Sequence, residues 1–203
     1  MEKKMNKKFG IRDIMTIAAM MVLFFILTMI VSGVTLPIPV VYLYGSAGLD
    51  GFFGAIFYLV AANRVNKHGL LFGWATVFGI IHVVMGYAFM LPYFLLVGAI
   101  AEMSMIGKDT YRNPVRNMIG WGINCIGNVI GIAVPIWRAW DSYKEMALNG
   151  GFSVDTLNMQ LEMVSNPSLM LLGVVVTAAL SMLGILFGQK LLRKHFQKSG
   201  IVA

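Results

Sequence analysis

The sequence predicts an all-α integral membrane protein of six transmembrane helices, with both termini on the cytoplasmic side. Three observations predict it. Hydrophobic residues make up 58% of the 203 and charged residues 12%, against roughly 25% charged in soluble domains. The apolar residues gather into stretches near the length of about 20 that crosses a bilayer. Fourteen of the sixteen Lys and Arg residues fall on one side of the resulting zigzag. These are Lys3, Lys4, Lys7, Lys8 and Arg12 at the start, Arg64 and Lys67 in the second connection, Lys108, Arg112 and Arg116 in the fourth, and Lys190, Arg193, Lys194 and Lys198 at the end. Only Arg138 and Lys144 fall on the other side. Basic residues beside spans stay cytoplasmic, so the pattern sets the number of passes and their direction. Residues 1–203 read as one polytopic membrane domain.

The first span is expected at about 14–32, and the Pro37/Pro39 pair keeps 34–39 out of regular helix as an outer loop. The apolar run of this span is too long for a signal-peptide core, and no A-x-A-like cleavage site follows it, so an uncleaved span is expected. The second span runs over about 41–62, with its first turns loosened by Gly45 and Gly48. A basic inner turn at 64–68 leads to the third span, about 69–87, and then the fourth, about 89–106. An inner loop ended by Pro114 precedes the fifth span, about 115–134, which Pro135 is expected to stop. The sixth covers about 168–192.

The long connection, 136–167, holds Asp141, Glu145, Asp155 and Glu162 against Arg138 and Lys144, so it is acidic and outside. Two short helices are predicted in it. Trp137, Trp140, Tyr143 and Lys144 keep helical spacing, as do Val154, Leu157, Leu161 and Val164 after Ser153, a capping residue. Gly150 and Gly151 separate them. Two readings stand for this segment: a hairpin anchored by Trp137 and Trp140 at headgroup level, or a lid over an outward pocket.

The net charge of +7 does not signal nucleic acid, because it is spread over four cytoplasmic segments with no interleaved stacking aromatics. It suits orientation and contact with anionic membrane lipid. Cys125 is the only cysteine, and His68, His82 and His195 show no paired ligand spacing, so neither a disulfide nor a metal site is predicted. No cofactor is expected.

Within the spans the ionisable residues are Asp50, His82 and Glu102. Such residues need a partner or a purpose. Asn124 and Asn128 lie one helical turn apart on one face of the fifth span with Trp121. The direction of each pass places Asp50, His82, Asn124 and Asn128 in the middle or outer half, and Glu102 alone in the inner half. A binding pocket opening outward requires that distribution; an ion path would need polar groups at every depth. Asp50, His82, Trp121, Asn124 and Asn128 are therefore the candidate substrate-binding residues, joined by Trp137, Arg138 and Trp140 from the lid-like segment. For the two amides the alternative is interhelical hydrogen bonding, and for His82 a packing role. Glu102 is expected to pair with Lys108 or Arg112.

No H-E-x-x-H, G-x-S-x-G or paired catalytic carboxylates occur, so no enzyme is predicted. No G-x-x-x-x-G-K-[ST] occurs, so the chain does not power transport with ATP by itself.

Three stretches carry a family resemblance: GQKLLRKHFQKSGIV at 188–202, the segment 54–69 with Tyr58 and its basic turn, and the long connection with its Gly150-Gly151-Phe152-Ser153 break. Through them the chain resembles the substrate-binding S components of energy-coupling factor (ECF) transporters, and among these the Trep_Strep, or MptD-like, group. The resemblance implies six helices that bind a micronutrient-like small molecule near the outer face, under a lid from the first, third and fifth loops. It implies as partners a transmembrane T component and two ECF ATPases. S components commonly present Ala-x-x-x-Ala on the first span to the T component. Here Val22 follows Ala18 and Leu23 follows Ala19, so Ala18 with the Ala47/Gly51/Ala55 stripe is the expected substitute interface. The small-residue stripes, including Gly69/Gly73, Gly127/Gly131 and Gly184/Gly188, are otherwise expected to pack helices within the chain. A stand-alone secondary transporter or channel is the alternative function.

Overall fold

Proline and glycine punctuate an otherwise apolar chain, and the helices begin and end where they fall. The computed structural model describes residues 9–196, with the side chains of His195 and Phe196 left aside. The basic residues Lys3, Lys4, Lys7, Lys8 and Lys198, and the end of the 188–202 stretch, lie outside the described residues. Within them the chain is all helical: α1 (Ile11–Thr35), α2 (Pro39–Val65), α3 (Leu70–Val84), α4 (Met90–Met103), a 3₁₀ turn (Thr110–Arg112), α5 (Pro114–Gly131), α6 (Ala133–Arg138), α7 (Trp140–Asn149), α8 (Val154–Ser165) and α9 (Pro167–Phe196).

Four segments are long and apolar enough to cross a membrane: Ile11–Thr35, Pro39–Val65, Pro114–Arg138 and Pro167–Lys194. The other two predicted spans form apolar helices of 15 and 14 residues, α3 and α4. At 1.5 Å per residue each is about 22 Å long, short of the roughly 30 Å hydrocarbon core.

Several local expectations change. The first connection shrinks to residues 36–38, because Pro39 sits in the first turn of α2, where a missing N–H costs nothing. Gly45 and Gly48 do not loosen α2, which is continuous over 27 residues. A Cβ on Gly48 would lie 2.7 Å from Leu180 Cδ1, so this glycine serves helix packing. Pro135 does not stop the fifth span. It lies inside α6, and the break between α5 and α6 falls at Ile132, next to the Gly131 carbonyl that a Pro135 N–H would have bonded. Of the two helices predicted in the long connection, the second forms as expected, and the Ser153 hydroxyl accepts from the Thr156 N–H at 3.1 Å. The first begins only at Trp140, because non-helical backbone at Ala139 (φ −153°) separates it from Trp137 in α6.

α2 packs most extensively on α9, α3 on α4, and α1 on α2. The α2–α9 contact is a small-residue seam: a Cβ on Gly184 would lie 2.5 Å from the Phe52 backbone, and one on Gly51 2.8 Å from Ser181 Cβ. Close backbone approach of this kind supplies the packing that drives helix association in lipid. It also corrects the proposed interface. Gly51 and Ala55 are buried inside the chain and face no partner, and half-buried Ala47 lines an internal cavity. Ala18 is exposed.

α1 is the most peripheral of the long helices, with 17% of its apolar window buried. Its inward Phe24 joins Trp74 and Trp121 edge-on at 5.6 and 5.7 Å, and Tyr58 stacks on Trp121 at 4.7 Å. Below this aromatic core, the Asp13 carboxylate pairs with Lys67 Nζ at 2.5 Å. Asn63, Arg112, Gln189 and Arg193 line a common crevice. The start of α1 and the end of α9 therefore lie at the same end of the bundle as the basic turns.

Candidate functional site

At the opposite end, where α1, α3 and α5 finish and α2 and α4 begin, the helices splay around a cavity of about 320 Å³. Its wall comes from every one of these elements: Thr28 and Ser32 of α1, Tyr42, Ser46 and Asp50 of α2, Phe78 and His82 of α3, Phe94 of α4 and Asn128 of α5. The floor is Phe24, the inward edge of the aromatic core. Tyr87, from the connection after α3, and Tyr143, Met146 and Phe152, from the α7–α8 segment, complete the wall. Its volume sits at the lower end of the roughly 300–1,000 Å³ typical of small-molecule sites.

Three predicted site residues meet here. Asp50 lines the cavity, and its Oδ1 is buried without a hydrogen-bond partner. The regular helix around it offers no local donor, contrary to the expectation of a loosened turn that satisfies it. His82 both packs within the bundle and lines the cavity. Its Nδ1 lies 2.9 Å from the Phe78 carbonyl, its ring leans on Phe94 at 5.0 Å, and it faces the cavity. Asn128 faces the cavity from α5.

The other five do not line it. Trp121 is fully buried, and its Nε1–H donates to the Gly51 carbonyl at 2.8 Å, which ties α5 to α2 beneath the cavity. Asn124 is buried, with Nδ2 lacking a partner, and lies off the cavity wall. Trp137 is 64% exposed and Arg138 is exposed too. Trp140 packs with Ala133, Ile136 and Val164 under α7 and lies 6.3 Å from Tyr143.

The segment itself does lie over the cavity, through different residues. Phe152 meets Tyr42 edge-on at 5.2 Å, and the Tyr143 hydroxyl donates to Gln160 Oε1 at 2.9 Å, which joins α7 to α8. The third connection contributes Met85 and Tyr87, whereas residues 36–38 contribute no lining residue. Phe152 carried a sequence signal, as a single aromatic directly after a Gly-Gly break. Tyr87 carried none beyond its place in a connection.

Glu102 departs furthest from expectation. It pairs with neither Lys108 nor Arg112 as predicted. Its carboxylate accepts from the backbone N–H groups of Gly69 at 2.7 Å, Leu71 at 3.1 Å and Phe72 at 3.3 Å, and from the Tyr111 hydroxyl at 2.6 Å. Gly69, at φ 99°, opens α3 with no side-chain cap, so a carboxylate from α4 supplies one. This site is structural and lies at the basic end.

A larger depression of about 700 Å³ lies between α1 and α3 on the outside of the bundle, with Ala18 on its wall. Its lining is apolar throughout, so it offers no group that would orient a polar ligand.

Residues 11–198 match a family described as a hypothetical bacterial integral membrane protein, Trep_Strep. The chain belongs to the Trep_Strep family. The matched region contains every residue of the cavity wall, from Phe24 to Phe152. Membership and the four long apolar helices together make this a multi-pass membrane protein of the Trep_Strep type. No curated protein and no solved structure matches the chain.

Proposed function

We propose that this Trep_Strep protein is the substrate-binding S component of an ECF-type importer, which takes a small micronutrient-like molecule from outside the cell. The observation that carries the reading is the cavity: Asp50, His82 and Asn128, far apart in sequence, converge at the end opposite the basic turns. Under the positive-inside rule the basic end is cytoplasmic, so the cavity opens outward. The chain then crosses six times with both termini inside, and α3 and α4 form a short antiparallel pair of passes. Turns at 85–89 and 104–113, or local thinning of the bilayer, make up their length. The α7–α8 segment is the lid.

In this reading the chain binds and releases but catalyses nothing. A T component and two ATPases supply the energy. Exposed Ala18 on α1 remains the candidate contact to the T component. Co-expression with a T component and the two ATPases, followed by affinity purification in detergent, tests it. A complex containing all four chains is expected. Failure to associate under every nucleotide and ligand condition ends the proposal, and ATP-independent accumulation by this chain alone would establish a stand-alone transporter instead.

A further inference from the structure

Beside hydroxyls and the Asn128 amide, which donate as well as accept, the cavity wall holds two side chains, Asp50 and His82, that offer acceptors. Asp50 Oδ1 is buried without a donor. The Phe78 carbonyl can only accept, so the His82 nitrogen 2.9 Å from it, Nδ1, is the protonated one. In the neutral ring Nε2 is then the acceptor, on a side chain that lines the cavity. Among the described residues, no Lys or Arg lines the wall. Arg138 and Lys144, the two basic residues of the overlying segment, are exposed and point no charge into it.

Around these acceptors the wall is rich in rings. Phe24, Phe78 and Phe94 lie toward the floor and Tyr42, Tyr87 and Phe152 around the rest of the wall. Aromatic faces attract cations, most strongly where water is excluded. A carboxylate in the membrane is retained where something of opposite charge meets it. Here the described residues place no such group on the wall.

We infer that the molecule held in this cavity is a small organic cation: an amine, an amidine or a positively charged nitrogen heterocycle. Its charged nitrogen pairs with Asp50. A second N–H donates to His82 Nε2, and its body lies against the rings. The inference rests on the cavity being the binding site of the proposed import subunit. An anionic compound would meet Asp50 with no basic residue to offset the repulsion. A neutral one would leave the carboxylate without a counter-charge. A bare metal ion would find a ring-lined space of about 320 Å³ where it needs a shell of six or more oxygens.

The test uses the purified full-length protein in lipid nanodiscs, incubated with the small-molecule fraction of yeast extract and freed of unbound compounds by gel filtration. Bound compounds are released by denaturation, sorted on cation and anion exchangers at neutral pH, and identified by mass spectrometry. The expected result is capture of a compound retained on the cation exchanger. Asp50→Asn should capture about tenfold less or lower still, the loss expected for a charge-assisted hydrogen bond. Asp50→Glu should restore part of the capture. Melting curves of the unliganded variants check that folding is intact. Capture of a neutral or anionic compound, or undiminished capture of the cation by Asp50→Asn, overturns the charge assignment and leaves the binding reading standing. Capture of nothing by the wild type overturns both.

Discussion

Glu102 and Asp50 are both carboxylates carried on apolar helices, and their surroundings differ sharply. Glu102 is saturated by three backbone N–H groups and the Tyr111 hydroxyl. Asp50 has an oxygen with no partner. Removing a hydrogen-bonded carboxylate strands its donors, whereas removing an unpaired one strands none. Glu102→Ala should therefore lower stability by about 2 kcal/mol, read as an unfolding midpoint in detergent. Glu102→Gln, which keeps one acceptor oxygen, should lose less. Lys108→Ala and Arg112→Ala should leave the midpoint unchanged, because neither side chain bonds Glu102. Equal losses from these two would show that the ion pair predicted by sequence proximity exists after all. Trp121 teaches the same lesson from the apolar side. Its place beside Asn124 and Asn128 on one helical face suggested a ligand contact. A helix face is wider than a cavity mouth, and Trp121 lies deeper, with its N–H on the Gly51 carbonyl.

At the scale of elements, the α7–α8 segment lies over the cavity through Tyr143, Met146 and Phe152. Its composition showed two helices and a Gly-Gly break, and these form. Which aromatic residues face inward depends on how the pair docks, and spacing within one helix does not specify that. Phe152 and Tyr143 face the cavity, while Trp137 faces away. Phe152→Ala should raise the release rate of the captured compound about threefold to tenfold, the worth of an aromatic contact. Trp137→Ala should leave that rate unchanged. Stopped-flow release from nanodiscs measures both, and a larger effect at Trp137 would place the lid contact on the other face of the segment. The α2–α9 seam is the second element-scale feature. Ala47, Gly51 and Ala55 read from sequence as a stripe for internal packing or for a partner, and Gly51 packs on Ser181 of α9 of the same chain. Small residues in lipid signal close helix approach and are silent about which helix approaches.

For the whole molecule, the proposal places the cavity and the α7–α8 segment outside and the basic turns inside. Cys125 is buried and is the only cysteine, so a Cys125→Ala background is suited to labelling. In intact cells a membrane-impermeant maleimide should modify Asn149→Cys, at the end of α7. It should modify Lys108→Cys only after the membrane is opened. The reverse pattern would invert the molecule and turn the cavity toward the cytoplasm. Labelling of both in intact cells would break the six-pass arrangement, in which the short α3 and α4 each cross once.

By itself the sequence determined that the chain is helical and membrane-embedded, where each apolar helix begins and ends to within a few residues, and which family it belongs to. These follow from composition, from proline and glycine, and from motifs continuous in the chain, and all are local properties. The tertiary structure alone decided which helix fills each small-residue stripe, which donors satisfy Glu102, and that Asp50, His82 and Asn128 share one cavity while Trp121 and Asn124 do not. Those outcomes depend on the rotation of each helix about its axis. Because the spans are apolar on nearly every side, that rotation leaves only a weak trace in the hydrophobic pattern. It is set when neighbouring helices pack.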